Sequence, residues 1–214
     1  MPSVRVPGFN VRRHGFPFPN SFPDGTPVVR VPTPFGAVNF GNAGVGVCGG
    51  MVYAAVDFFL FGRPVPAEPT EPVFRYLCRR LLDSFNFPFG WLKYWDWQVR
   101  PDVTDLTAHD WHRLRAELDA GRLCPMGLCK VHSWDPRRLG QNHQVLAYGY
   151  DLGDDVTLHV YDPNYPGESV ELTARLGEPG RPVRHSFEGD SVRGFFPTDY
   201  RRPVEPPVFD AATP

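Results

Sequence analysis

Over residues 48–61 the apolar side chains Met51, Val52, Ala55, Val56 and Phe59 return at three- and four-residue spacing, which predicts a helix buried on at least one face. A run of glycines marks its start. After a proline-rich connector spanning 64–72, the positions Phe74, Leu77, Cys78, Leu81 and Leu82 predict a second, amphipathic helix over 73–85. A third fits 108–120, with Thr107 as its cap and Gly121 as its stop. The aromatic cluster at 91–97 carries no decided form.

Beyond Cys124 the period shortens, and β-type runs are expected at 126–133, 143–150, 156–161, 169–172 and 192–196. Asp151-Leu152-Gly153-Asp154-Asp155 reads as a hairpin turn between the second and third of them. Helices followed by antiparallel strands make an α+β fold, with a cleft where the two halves meet. Residues 1–40 alternate aromatic and turn residues, as in Gly15-Phe16-Pro17-Phe18-Pro19-Asn20. Little regular structure is expected there, only a wrap that buries its phenylalanines. The expected organisation is one domain over 1–214: a loop-rich wrap (1–40), a helical half (41–122), a sheet half (123–200) and a peripheral tail (201–214).

Composition narrows the class. With 214 residues, 42% of them hydrophobic, the chain can bury one sizeable core. The 25 prolines and 21 glycines are offset by 17 Phe, 8 Tyr and 5 Trp, so ordered but loop-rich structure is expected rather than disorder. A net charge of −2 and the absence of a long basic run argue against nucleic acid as a partner. No apolar stretch approaches the length of a membrane span, and the first residues lack a signal-peptide pattern, so a soluble, cytoplasmic protein without membrane partners is expected. In that setting Cys48, Cys78, Cys124 and Cys129 read as free thiols.

The candidate chemistry rests on two segments. Gly41-Asn42-Ala43-Gly44-Val45-Gly46-Val47-Cys48-Gly49-Gly50-Met51 sets a cysteine in the first turn of a helix, where unpaired backbone amides and the helix dipole favour a thiolate. The flanking glycines would let backbone amides and substrate come close. Asn142-His143-Gln144-Val145-Leu146-Ala147-Tyr148-Gly149-Tyr150 places a histidine at a strand start, and Asp162-Pro163-Asn164 ends the next strand. The hairpin would bring Asp162 beside His143, where a carboxylate can fix the imidazole tautomer. Asn164 is an alternative orienting group. Asn42, six residues before Cys48, is a candidate oxyanion donor together with the Cys48 backbone N–H. Taken singly, each residue also has a plain reading: Cys48 as a small core residue, Asp-Pro-Asn and Asn42 as turn formers.

Taken together, these segments resemble papain-fold cysteine peptidases over roughly residues 40 to 165, and the Asp-Pro ending is similar to the bacteriocin-processing branch. They also resemble a group of bacterial proteins sharing the Cys-Gly-Gly-Met helix start and the His-Gln-Val-Leu-Ala-Tyr-Gly-Tyr strand. The resemblance implies a papain-like α+β fold with the Cys48 helix packed on the sheet. It makes Cys48 the nucleophile, His143 the general base, Asp162 its orienter and Asn42 the oxyanion donor. Two departures stand out: such peptidases carry Gln where this chain has Asn42, and Gly49-Gly50-Met51 follows the cysteine. The implied activity is cysteine hydrolysis of a peptide or amide through an acyl-thioester, with no cofactor. The alternative is a catalytically silent papain-fold module, binding or accessory, that holds a peptide or small ligand in the same cleft.

Other clusters read as structural. Cys124, Cys129 and His132 have zinc-ligand types but the strand periodicity separates them, so no metal is expected. His109 and His112 read as surface residues, and the 91–97 aromatics as a packed seam in preference to a substrate groove.

Overall fold

A computed structural model of the chain describes residues 2–33, 36–40, 46–85, 90–205, 207 and 209. The fold is α+β. The helices among these residues are α1 (Val11–His14), α2 (Cys48–Leu60), α3 (Glu71–Ser84), α4 (Gly90–Val99) and α5 (Thr104–Asp119). The strands are β1 (Ser3–Arg5), β2 (Val29–Thr33), β3 (Gly36–Phe40), β4 (Cys124–Cys129), β5 (His143–Leu152), β6 (Val156–Tyr161), β7 (Val170–Ala174), β8 (Val183–His185), β9 (Gly189–Val192) and β10 (Gly194–Pro197).

One sheet runs β10-β4-β5-β6-β7-β8-β9 with antiparallel neighbours, and β1 adds beside β5 where β4 has ended. Both faces of its centre are covered, and strand alternation shows how. Val145, Ala147 and Val160 join a core with Leu114 and Leu118 of α5, whereas Leu146 and Tyr161 join a second core with α2, α3 and the buried Phe16 and Phe18. In the β5–β6 hairpin Leu146 pairs with Tyr161. The start of β5 therefore lies beside the residues that follow β6, the register on which the site depends.

Helix α2 approaches α3 and the sheet so closely that only glycine fits twice. A Cβ on Gly50 would fall 2.0 Å from the Leu77 carbonyl oxygen, and one on Gly49 would fall 2.3 Å from Ser84 Oγ and 2.7 Å from Gln144 Nε2. These two glycines thus serve helix packing, a different role from the open approach for substrate that their position beside Cys48 suggests.

The predicted α2 and β6 match the structure within a residue, and α3 begins two residues earlier, with Pro72 in its first turn. Helix α5 starts at Thr104; Thr107 is inside it, its hydroxyl donating back to the Val103 carbonyl, so it does not cap. Gly121 does stop the helix, in a left-handed conformation at φ 72°. The run at 126–133 is instead β4, ending at Cys129, and the run at 192–196 is split between β9 and β10. Residues 91–97 are helical, in α4. The N-terminal wrap buries Phe16 and Phe18 as expected, but it also holds regular structure: β1, α1 and the β2–β3 hairpin. Among the described residues no helix is long and apolar enough to cross a membrane.

Candidate functional site

Cys48 is the first residue of α2, half-buried, and among the described residues no side chain caps this helix. The first-turn N–H groups of a helix have no partner within it, so they surround the thiol with partial positive charge. The entry to the helix is fixed by Asn20 from the N-terminal wrap. Asn20 Oδ1 accepts the Val47 N–H at 2.6 Å, its own N–H donates to the Pro163 carbonyl at 2.9 Å, and its Nδ2 donates to Asn164 Oδ1 at 3.2 Å. One side chain thereby ties the loop before Cys48 to the loop after Asp162. Gly46 permits the contact: it has φ 94°, and a Cβ there would fall 2.4 Å from Asn20 Nδ2.

His143 enters β5 from a 3-10 turn (Pro136–Gln141). Its neighbour Asn142 pins this corner, accepting the Lys130 N–H at 3.0 Å and donating to Gln98 Oε1 at 3.2 Å. His143 Nε2 lies 2.7 Å from Asp162 Oδ1, and the carboxylate is fully buried. The same oxygen accepts the Asn164 N–H at 2.8 Å, while Oδ2 faces His185 Nε2 at 3.2 Å. Of the two orienting candidates it is therefore Asp162 that contacts the ring; Asn164 contributes its backbone N–H to the carboxylate and its side-chain oxygen to Asn20.

With Nε2 committed to Asp162, Nδ1 is the ring nitrogen left for Cys48, which lies close enough to the imidazole to favour its charged form. Burial disfavours the imidazolium, but Asp162 and Cys48 outweigh it and raise the His143 pKa from its ordinary 6.5 to about 10. Burial likewise opposes the Asp162 carboxylate, and the charge of His143 with the donors from His143, His185 and Asn164 holds it well below the usual carboxylate range.

Cys48 and His143 open onto a cavity of about 330 Å³. Leu81, Leu82 and Phe85 at the end of α3, Tyr94 of α4 and Leu139 give it an almost wholly apolar wall. Among the described residues the Tyr94 hydroxyl and Gln144 Oε1, buried there, have no hydrogen-bond partner, although Gln144 Nε2 donates to Ser84 Oγ at 3.1 Å.

The structure thus brings Cys48, His143 and Asp162 together; Asn42 lies outside the described residues. Within α4, Tyr94 and Trp97 pack against Phe196 and Cys129, and Tyr94 also lines the cavity, so the aromatic cluster is both seam and wall. His109 and His112 are exposed. Cys124 and Cys129 are buried in different clusters, and among the described residues no group of three or more His, Cys, Asp or Glu side chains is placed to hold a metal ion. Sequence reasoning missed Asn20 and His185. Asn20 carries only the signal of a turn residue, and His185 lies in a three-residue strand too short to show a period.

Compared with protein-family models, curated proteins and solved structures, the chain matches none.

Proposed function

We propose that this protein is a papain-like cysteine hydrolase that cleaves an amide or ester bearing an apolar group beside its carbonyl, through an acyl-thioester. The observation that carries the reading is the buried Asp162–His143 pair turned toward Cys48 at the mouth of an apolar cavity. In the proposed first step the imidazole takes the thiol proton, and the resulting thiolate at the helix N-terminus is the nucleophile.

Sulfur attacks the carbonyl carbon, forming the C–S bond and placing negative charge on the oxygen. The Cys48 backbone N–H, in the first turn of α2, donates to that oxyanion in this reading; the resemblance adds Asn42. As the tetrahedral adduct collapses, the bond to the leaving amine or alcohol breaks and His143 gives it the imidazolium proton. Water then attacks the thioester, His143 takes up its proton, and the C–S bond breaks to release the acid and restore the ion pair. Asp162 keeps one ring nitrogen occupied throughout, so the other stays aimed at sulfur. The apolar wall binds the acyl side by removing its surface from water.

The test is acylation by p-nitrophenyl acetate and p-nitrophenyl hexanoate, followed by release of p-nitrophenolate and by intact mass. The expected result is an acyl adduct on Cys48, formed faster with the hexanoyl ester and absent in Cys48→Ala. Failure of either ester to acylate Cys48 above the rate of a free thiol would overturn the hydrolase reading and turn the proposal to a binding module.

A further inference from the structure

Asp162 contacts two imidazoles, and the second has no place in the steps above. His185, in β8, is buried at 1% exposure, with Nε2 3.2 Å from Asp162 Oδ2. Its other nitrogen is fully engaged: Nδ1 accepts the backbone N–H of Phe187 at 3.1 Å and of Glu188 at 3.2 Å. A nitrogen facing two N–H donors carries a lone pair, so the ring proton resides on Nε2 and points at the carboxylate. A tight turn after β8 therefore fixes which tautomer Asp162 meets.

The charged and titratable groups around this ring are each already engaged. Asp162 lies on one side, with His143 beyond its far oxygen. The Tyr165 ring lies 5.5 Å away and donates its hydroxyl to Glu188. The Glu188 carboxylate is taken by Lys130, Tyr165 and Ser191, and only its backbone N–H turns to Nδ1.

We propose that His185 is a positioning residue of the hydrolytic site: its Nε2–H holds the second oxygen of Asp162, keeping the carboxylate ionised and turned to His143. This rests on the reading of Cys48 as the nucleophile of a hydrolase. A buried carboxylate short of donors is costly to ionise, and the imidazolium it supports is weakened with it. Consistent with this, the hydrogen bond from His185 is among the contacts that lower the proton affinity of Asp162. His185 acts through Asp162 alone and touches neither substrate nor sulfur.

The experiment compares the pH profile of Cys48 alkylation in wild type, His185→Asn and His185→Gln. The Asn amide nitrogen sits near the place of Nδ1 and falls short of Asp162, whereas the Gln amide nitrogen takes the place of Nε2. The expected result is that folded His185→Asn labels about tenfold more slowly at pH 6–7, rising only toward the range of a free thiol near pH 8.5. His185→Gln is expected to return to within about threefold of wild type. A folded Asn variant with the wild-type profile, or a folded Gln variant that restores nothing, would overturn the proposal. Should neither variant fold, ¹⁵N shifts of wild-type His185 decide: protonation at Nε2 supports it and protonation at Nδ1 overturns it. If wild-type Cys48 itself labels as an ordinary thiol, the hydrolase reading falls and carries this proposal with it; fast wild-type labelling with an indifferent Asn variant removes only His185.

Discussion

Two buried carboxylates in this molecule are each held by a cation and two further donors, and their proton affinities are shifted in opposite directions. Asp57 of α2 accepts Nε and Nη2 of Arg80 at 2.8 and 3.1 Å, with the Tyr76 and Tyr200 hydroxyls at 2.7 and 2.5 Å. Burial still wins there, and the Asp57 pKa is raised despite Arg80. At Asp162 the donors win and the pKa is lowered. The geometry of the two clusters differs as well. Arg80 turns its remaining N–H groups to Asp83 and the Arg201 carbonyl, so the cluster closes on itself and staples the C-terminal segment to α2 and α3. The His143–Asp162 pair leaves a ring nitrogen turned to Cys48 beside a cavity. Satisfied buried charge makes a fastening; buried charge with one open valence toward a pocket makes a site.

The sharpest way to break this contrast is to delete one member of each cluster. Cys48→Ala and His143→Ala should each lower turnover of a hexanoyl ester by roughly a thousandfold or more, with Cys48→Ala melting within a few degrees of wild type by calorimetry. Asp57→Ala should do the reverse. Taking the buried carboxylate from Arg80, which keeps only Asp83 and the Arg201 carbonyl, should cost about 3–5 kcal/mol in urea denaturation, while Cys48 in the protein that remains folded alkylates at the wild-type rate. An Asp57→Ala variant of ordinary stability would show that the two clusters are not different in kind.

Asn20 links the comparison to the chain's N-terminal wrap. Asn20→Ala removes the acceptor for the Val47 N–H and the tie to Asn164 while keeping the backbone bond to Pro163, and should cost about 1–2 kcal/mol in chemical denaturation. It should also slow Cys48 labelling several-fold, because sulfur and ring lose their common anchor. An unchanged labelling rate would make Asn20 a fastening like Asp57.

The smallest effect is the pH dependence of stability. His143, raised on folding, contributes stability fully present below about pH 6.5 and lost as pH rises through about 10. Asp162, lowered on folding, contributes stability present above about pH 4 and lost as pH falls through its depressed folded value. The pair therefore favours the fold most between about pH 4 and 6.5. Asp162→Asn should lower stability within that window and flatten the decline on either side of it relative to wild type, as read by urea midpoints.

Much of this site is legible in the sequence because its parts sit at element boundaries, which punctuation marks well. Cys48 opens a periodic helix after glycines, His143 opens a strand after a polar turn, and Asp162 closes the next strand before Pro163. The hairpin turn between β5 and β6, together with a register shift between Ala147 and Gly149, sets the pairing at the site end of the two strands. What escaped has no local signature. Asn20 meets Val47 across 27 residues, and His185 meets Asp162 from a strand of three. The β2–β3 hairpin was hidden by Pro32 in β2, a residue that argues against a strand. Gly49 and Gly50 were legible as glycines but not for their reason, since the helix they admit lies in α3, more than twenty residues on.

The most direct test of the account is the rate of Cys48 alkylation by iodoacetamide from pH 5 to 10 in wild type and His143→Ala, with the labelled site read by mass spectrometry. Rapid modification of wild-type Cys48 well below pH 8.5 is expected, slowed in the variant to the profile of a free thiol. Identical profiles for the two proteins, each rising only near pH 8.5, would contradict it.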